Sequence, residues 1–465
     1  MQGIHAYATY VPHSRLARKT VATELGIKSK AGIRAVASYD EDTTTMAVEA
    51  GRRALDASRG PTPSTLCFAT TAPAYVDRTN AAGVHAALGL SASVIAYDFG
   101  AAPRSGSAAL VTAGTAGSPF LVLLADTRGG RPGSDDELLG GDAAAAFVFG
   151  PAEGSLAEVI GRASLTAEVL DRWAAPGDTF SQTWEERFTE ALYTPLIRTV
   201  ADQALIDAGV EQPDHVLVSA SHRRVVASGR KVLGAASEAF PDAEIGYAGT
   251  ADVGLQLAAT LGIAGPDETI LVIAAADGVD ALVFRTTDAL AAFREGVSAV
   301  ELPPALPINY TTYLTWRGAI HREPPRRPDP VPTASPPAAR GTRWKYGFVG
   351  SRCRVCSTVH LPPQRVCSRC SAVDKMDPAP MSRARGTVKT FTIDLLAPSL
   401  APPVVDVVID FDEGGRFQCE MTDVDADSVA VGDRIEMTFR YLGSANGVRN
   451  YFWKARPIGA TTRSA

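Results

Sequence analysis

The sequence predicts an α/β fold made of two similar halves, followed by a small all-β module that carries a metal centre. Three observations predict it. Short apolar, β-branched runs such as "FLVLLADTRGG", "DAAAAFVFG" and "TILVIAAADGVDALVFR" alternate with Ala-rich segments of helical period such as "TTTMAVEAGRRALDAS", the pattern of buried strands between helices. The pair "LVLLAD" (121–126) and "AAAFVFG" (144–150) is echoed by "LVIAAAD" (271–277) and "DALVFR" (280–285), at an offset of 150 residues falling to about 135, as a shorter intervening loop would give. Four of the six cysteines crowd between Cys353 and Cys370.

Each element follows from its residues. Upstream of each strand pair a glycine-bearing turn opens an Ala/Leu helix: "DFGAAPRSGSAALVTAG" in the first half and "IGYAGTADVGLQLAATLG" in the second. A duplicated layout of this kind brings the two turns together at a pseudo-twofold axis. The segment "EPPRRPDPVPTASPPAAR" (323–340) holds seven prolines in 18 residues, which disfavours regular helix and predicts a stiff, extended connector. Beyond it, "GTVKTFTIDLLA", "VVDVVIDFD", "RFQCEMTDV", "DRIEMTFRYL" and "VRNYFWKARP" alternate apolar and polar residues between turn signals such as "DEGG" and "SANG", predicting a small antiparallel barrel. The expected divisions are 1–150 and 151–308 for the two halves, 309–340 for the connector, 341–380 for the metal ribbon and 381–465 for the barrel.

Composition narrows the function classes. The chain has 465 residues, 46% hydrophobic and 21% charged, with a net charge of −6. That balance gives no general attraction to nucleic acid or anionic lipid. No stretch reaches the roughly 18 apolar residues of a membrane span, and the N-terminus lacks the apolar core of a secretion signal. The expected setting is cytoplasmic, with neither nucleic acid nor membrane as partner. Cys67 and Cys419 stand alone in strand-like runs, so cysteine usage points to a metal site in a reducing compartment.

The paired strand motifs, together with "LDRWAAPGDTFSQTWEERFTEALYTPLI" (170–197), resemble the thiolase superfamily over roughly residues 1–290. The similar branch is that of hydroxymethylglutaryl-CoA synthase and the type III ketoacyl synthases. That resemblance implies a duplicated thiolase-like fold, a homodimer, and chemistry on a CoA or phosphopantetheine thioester. The family's nucleophilic cysteine falls on Pro103, its histidine on His222 in "HVLVSASHRR", and its second-half asparagine on Tyr247 in "IGYAGTAD". Its acid/base glutamate belongs near residues 69–77, where Thr70, Thr71 and Ala72 offer none.

Proline fits the start of a helix but has neither thiol nor hydroxyl to carry an acyl group. Cys67, in the apolar run "STLCFATT", reads as a small buried hydrophobe. Ser105 is a candidate replacement nucleophile, although it sits about 200° around the helix from position 103 at about 100° per residue. His222 has the titration range of a general base, and the Tyr247 phenol is a directional donor for an oxyanion. The N–H groups of the helix that follows Pro103 are expected to face a pocket and to favour an oxyanion as well.

"CRVCSTVHLPPQRVCSRC" reads C-x2-C-x10-C-x2-C, two knuckles whose thiolates Cys353, Cys356, Cys367 and Cys370 match a closed, structural Zn2+ site. His360 lies inside the loop and is not needed as a ligand. Ribbon plus barrel (309–457) resembles the acyl-CoA-associated zinc-ribbon and OB-fold module found beside or fused to thiolase-fold enzymes. Residues 341–390 hold ten Lys/Arg against two Asp, a patch suited to the phosphates of CoA or a carrier-protein arm. Three functions fit: an acyltransferase or condensing enzyme that forms no cysteine acyl-enzyme, a carbon–carbon lyase or aldolase on a thioester, and a non-catalytic partner subunit.

Overall fold

The computed structural model describes residues 1–28, 30–235, 242–296, 300, 302–323 and 335–458. The chain forms two compact units. The first comprises Met1–Ala37, Asp42–Ala82 and Ser91–Tyr310; the second comprises Ser38–Glu41, Gly83–Leu90 and the described part of Thr311–Ala465.

The first unit is built on a nine-stranded sheet. In chain order its strands are β1 (Gln2–Tyr10), β2 (Thr65–Thr70), β3 (Ile95–Gly100), β4 (Phe120–Asp126), β5 (Ala143–Pro151), β6 (Ala157–Thr166), β7 (His215–Ala220), β8 (Thr269–Ala275) and β9 (Gly278–Thr286). Across the sheet they run β7-β8-β9-β6-β1-β5-β4-β2-β3. The sequence echo has a structural counterpart: β4 pairs antiparallel with β5, and β8 antiparallel with β9. Outside these hairpins, β2 runs parallel to both β3 and β4, and β7 parallel to β8.

Helices cover the sheet because their apolar positions recur at helical spacing. Helix α1 (Thr43–Ala57) starts at a capping box in which the Asp42 carboxylate accepts from the Thr45 N–H at 3.0 Å and Thr45 Oγ1 accepts from the Asp42 N–H at 2.9 Å. It packs on β1 and β5. Helices α2 (Arg104–Thr115) and α5 (Asp252–Leu261), the two that follow the glycine-bearing turns, share one buried cluster in which Leu110 and Ala113 meet Leu255, Ala258, Leu124 and Phe147. Helix α3 (Glu186–Ala208) buries Tyr193, Ile197 and Val200 with Val218, Ile273 and Val283 in a second cluster, which α4 (Arg223–Val232) joins through Val225.

The second unit contains a zinc-ribbon sheet of Val349–Cys353, Val359–His360 and Met376–Pro380 and a closed five-stranded barrel. The barrel strands are β10 (Arg385–Asp394), β11 (Val404–Phe411), β12 (Arg416–Met421), β13 (Arg434–Ala445) and β14 (Val448–Pro457), joined in the order β10-β11-β12-β14-β13. Along β11 every second residue is buried, as the alternating sequence requires.

Residues 324–334 of the proline-rich connector lie outside the described residues. Its described end departs from the expected extended form: Ser335–Arg340 is helical. Pro336 and Pro337 fall in the first turn, where a missing N–H has no intrahelical acceptor to lose. Tyr310–Trp316, within the expected connector, is helical too.

Candidate functional site

The turn between β3 and α2 sets the site. Pro103 precedes α2 with φ −56° and ψ −27°, already helical, which is why proline is accepted there. Two residues earlier Ala101 has φ 81°, a left-handed conformation that an L-side chain adopts against a steric penalty of about 1–2 kcal/mol. The turn is held from the other half of the chain. Arg104 grips the Asp280 carboxylate through Nε at 3.1 Å and Nη2 at 2.9 Å, and it also donates to the Asp277 carbonyl. Ser107 donates to the same carboxylate at 2.7 Å.

The two turns meet where the duplication requires. A Cβ on Gly106 would lie 2.3 Å from the Thr250 carbonyl oxygen, so only glycine lets α2 approach this closely. Gly246, at φ 91°, lets 245–247 lie against 139–141; Tyr247 N–H donates to the Leu139 carbonyl at 2.9 Å, and Gly141 N–H to the Tyr247 carbonyl at 2.9 Å. These bonds fix the backbone at Tyr247.

Two adjoining cavities result. One, of about 380 Å³, is lined by Arg128, Arg131, Leu139, Ser221, His222 and Tyr247, among others. The other, of about 300 Å³, is lined by Thr71, Ala101, Pro103, Arg128, Asp171 and Asp277, among others. Arg128, Ser181 and Ser221 line both. The loop 170–185, pinned by the two-residue strands Arg172–Trp173 and Gln182–Thr183, contributes to both walls. Tyr247 also borders a third, more apolar space of about 400 Å³ with Val226, Ala227 and Gln256.

Of the residues singled out in the sequence, His222 and Tyr247 share a cavity. Pro103 lines the neighbouring one. Ser105 lies apart from all three: it is buried, and its hydroxyl donates to the Gly100 carbonyl at 2.8 Å. The N–H groups of Ser105 and Gly106 are engaged with the Ala102 and Pro103 carbonyls at 3.0 and 3.1 Å. The expectation that these groups are open to an oxyanion is therefore corrected: the tight first turn consumes them.

His222 lies two residues beyond β7, in the N-cap position of α4; it is 6% exposed. Its Nε2 lies 3.2 Å from Asp171 Oδ2 but outside hydrogen-bonding geometry, and its Nδ1 lies 3.9 Å from Glu186 Oε1. Burial pushes the Tyr247 phenol well above its ordinary range, against the opposing pull of Arg128, whose guanidinium stands 5.6 Å over the ring. The phenol is thus a proton donor at neutral pH. Beneath it, Asp126 is fully buried and accepts from Thr71 N–H and Thr250 N–H, both at 2.9 Å, and from Thr71 Oγ1 at 2.8 Å. Burial nevertheless pushes its carboxyl up, with Arg128 opposing.

Sequence reasoning missed Asp171 and Arg128. The signal for Asp171 was in reach, in the "LDRW" that opens segment 170–197. Arg128 had none, because its burial depends on residues more than 50 positions away.

In the second unit Cys353 Sγ lies 3.6 Å from Cys370 Sγ, and Cys356 Sγ 3.5 Å from Cys367 Sγ; all four sulfurs are within 4.8 Å of one another. A tetrahedral Zn2+ with bonds of about 2.3 Å needs sulfurs about 3.8 Å apart, so the cluster fits. Both knuckles close alike, with Ser357 and Ser371 at φ 60° and their N–H groups bonded to the Cys353 and Cys367 carbonyls at 2.9 Å. Four thiolates saturate the ion, so it organises the ribbon and leaves no position for substrate. His360 stands outside this cluster.

Paired hairpins of one continuous sheet, with two turns meeting above it, define a thiolase-like fold. Solved structures share it: HMG-CoA synthase complexed with CoA superposes with TM-score 0.58 at 15% identity, covering 67% of this chain and 89% of that one. 3-Oxoacyl-(acyl carrier protein) synthase III from Pseudomonas aeruginosa superposes with TM-score 0.56 at 18% identity, covering 62% and 98%. The chain belongs to the hydroxymethylglutaryl-CoA synthase family: it is 30% identical over 347 residues to the hydroxymethylglutaryl-CoA synthase of Archaeoglobus fulgidus, covering 69% of this chain and 99% of that protein. The C-terminal unit has its own relatives. Residues 345–376 match the family "ChsH2, rubredoxin-like zinc ribbon domain" and residues 379–440 match "ChsH2, C-terminal OB-fold domain". A DUF35 domain-containing scaffold protein of Methanocaldococcus jannaschii is 28% identical over 124 residues, covering 26% of this chain and 87% of that protein. Among the described residues no helix is long and apolar enough to cross a membrane.

Proposed function

We propose that this chain is an acyltransferase or condensing enzyme that passes an acyl group from a thioester directly to an acceptor, without an acyl-enzyme. The observation that carries the reading is the placement of His222 and Tyr247 on one cavity, beside a turn whose pivotal residue is Pro103. His222 deprotonates the acceptor, which attacks the thioester carbonyl; as the C–S bond breaks, the imidazolium returns the proton to the departing CoA or carrier-protein thiolate. Asp171, 3.2 Å from its Nε2, stabilises the imidazolium that forms. The Tyr247 O–H donates a hydrogen bond to the oxyanion that develops at the thioester carbonyl. Ser105 has its hydroxyl turned to the Gly100 carbonyl and takes no covalent part.

The donor is a CoA or carrier-protein thioester. Structures of relatives with CoA and with an acetyl donor-ACP support that choice. The C-terminal unit serves as a scaffold, as the name of its relative suggests. We further propose a cytoplasmic homodimer joined through the edge strand β3, where Ile95 and Tyr97 are each 50% exposed; a monomeric mass by light scattering at micromolar concentration would contradict the dimer.

A lyase reading draws on the same phenol. It requires Tyr247 to give up its proton readily, whereas burial holds the proton in place. A non-catalytic subunit is the remaining alternative. Thiol release from a panel of acyl-CoA thioesters separates the readings: His222→Ala should lose about 10²–10⁴-fold in rate, the usual worth of a general base. Unchanged turnover in that variant would overturn the assignment of His222.

A further inference from the structure

Arg128 follows β4 and is only 8% exposed, yet it lines both cavities of the site. Its charge is permanent. Its Nη1 donates to Thr71 Oγ1 at 3.1 Å and its guanidinium rests on the Tyr247 ring. Its Nη2 is buried without a hydrogen-bond partner. Asp126 is the nearby anion, but its oxygens are already occupied by Thr70, Thr71 and Thr250 donors. Asp126 offsets part of the charge, but a buried guanidinium nitrogen without an acceptor is expensive to maintain. The neighbouring arginines differ: Arg104 is paired with Asp280, Arg172 with Asp136 and Arg34 with Asp142.

We propose that Arg128 is a specificity-determining residue that receives a carboxylate carried by the substrate, so that the preferred acyl thioester is a carboxyacyl thioester. The open Nη2 offers a donor beside both cavities, and the planar guanidinium fork suits the two oxygens of a carboxylate. This inference rests on the thioester reading above for the identity of the ligand, though not for the anion site itself.

The test is calorimetric titration of the full chain with succinyl-CoA and butyryl-CoA, a pair of equal acyl length differing at the terminal carboxylate. The wild type should favour succinyl-CoA by at least about tenfold, within the usual worth of a charge-assisted hydrogen bond. Arg128→Met should erase that preference, bringing the two affinities within about threefold of each other. A wild type with no preference, or an Arg128→Met protein that keeps it, would overturn the proposal. If Arg128→Met fails to fold, Arg128→Lys keeps the charge and loses the fork; its preference should fall, and an unchanged preference counts against the proposal. If neither thioester binds, the thioester reading fails on its own. The anion site is then read from thermal shifts with methyl succinate and methyl butyrate: only the former should raise the melting temperature, and only in the wild type. A shift that is absent, or that survives in Arg128→Met, overturns it.

Discussion

Replacing Gly106 by alanine perturbs the point where the two halves of the first unit touch. An added Cβ would sit 2.3 Å from the Thr250 carbonyl oxygen, and reaching even a tight 3.0 Å contact requires a shift of 0.7 Å. Thr250 cannot readily yield, since its N–H is bonded to Asp126 at 2.9 Å and its hydroxyl to the Ala69 carbonyl at 3.1 Å. Overpacking of this kind costs about 1–3 kcal/mol, while alanine returns up to about 1 kcal/mol of helix propensity. Strain wins, and Gly106→Ala should destabilise by about 1–2 kcal/mol. Gly114 in the same helix is the comparison: its Cβ would meet a side chain rather than backbone, Val159 Cγ2 at a tight 3.0 Å, so Gly114→Ala should cost less than Gly106→Ala, the helix-propensity gain of up to about 1 kcal/mol offsetting a smaller strain. Urea midpoints with unchanged slopes measure both. The same displacement should lower turnover by about 10²-fold, the typical effect of misplacing reacting groups by about an ångström. A Gly106→Ala protein as stable as Gly114→Ala would refute the reasoning.

Two further outcomes concern the second unit. Arg440 is fully buried on β13 between Glu41 (2.6 Å), Asp40 (3.5 Å) and Asp423, so Arg440→Met should cost about 3–5 kcal/mol by leaving buried carboxylates unpaired, measured by denaturant unfolding. Burial alone would raise the Asp40 carboxyl, but Lys454 and Arg440 outweigh it and hold it below its ordinary value. A carboxyl depressed in the folded state contributes stability above its unfolded value near pH 4, and that stability is lost as pH falls further. Unfolding midpoints should therefore drop more steeply below pH 4 in the wild type than in Arg440→Met. Metal analysis of protein purified without chelator should give close to one zinc per chain, and Cys367→Ser should lower solubility and zinc content together; a stoichiometry near zero would refute the ribbon assignment.

The parts legible in the sequence were those encoded locally or by repetition. The strand pairs at 121–126 with 144–150 and 271–277 with 280–285 carried the duplication because buried strands keep their apolar runs. The C-x2-C pairs carried the metal because thiolate spacing is set by the ion. Strand alternation carried the barrel. The connector departed from expectation at 335–340, where consecutive prolines sit in the first helical turn, which tolerates them. Arg128 was illegible as a site residue, and Asp171 stood in a recognised segment without a sign of its role, for a different reason. Each is a common charged residue whose role comes from burial beside partners distant in sequence: Thr71 and Tyr247 for one, His222 for the other. The loss of the Ser105 and Gly106 N–H groups to a tight turn likewise depends on backbone geometry that composition does not encode.

The central claim, direct transfer without an acyl-enzyme, is tested most directly by intact-protein mass spectrometry. The full chain is mixed with whichever acyl-CoA supports thiol release, in the absence of acceptor, and sampled on the timescale of one turnover. The account predicts unmodified mass at every time point, with thiol release appearing only when acceptor is added. An acyl adduct that forms at the rate of turnover, and maps to Ser105 or any other side chain, would contradict it.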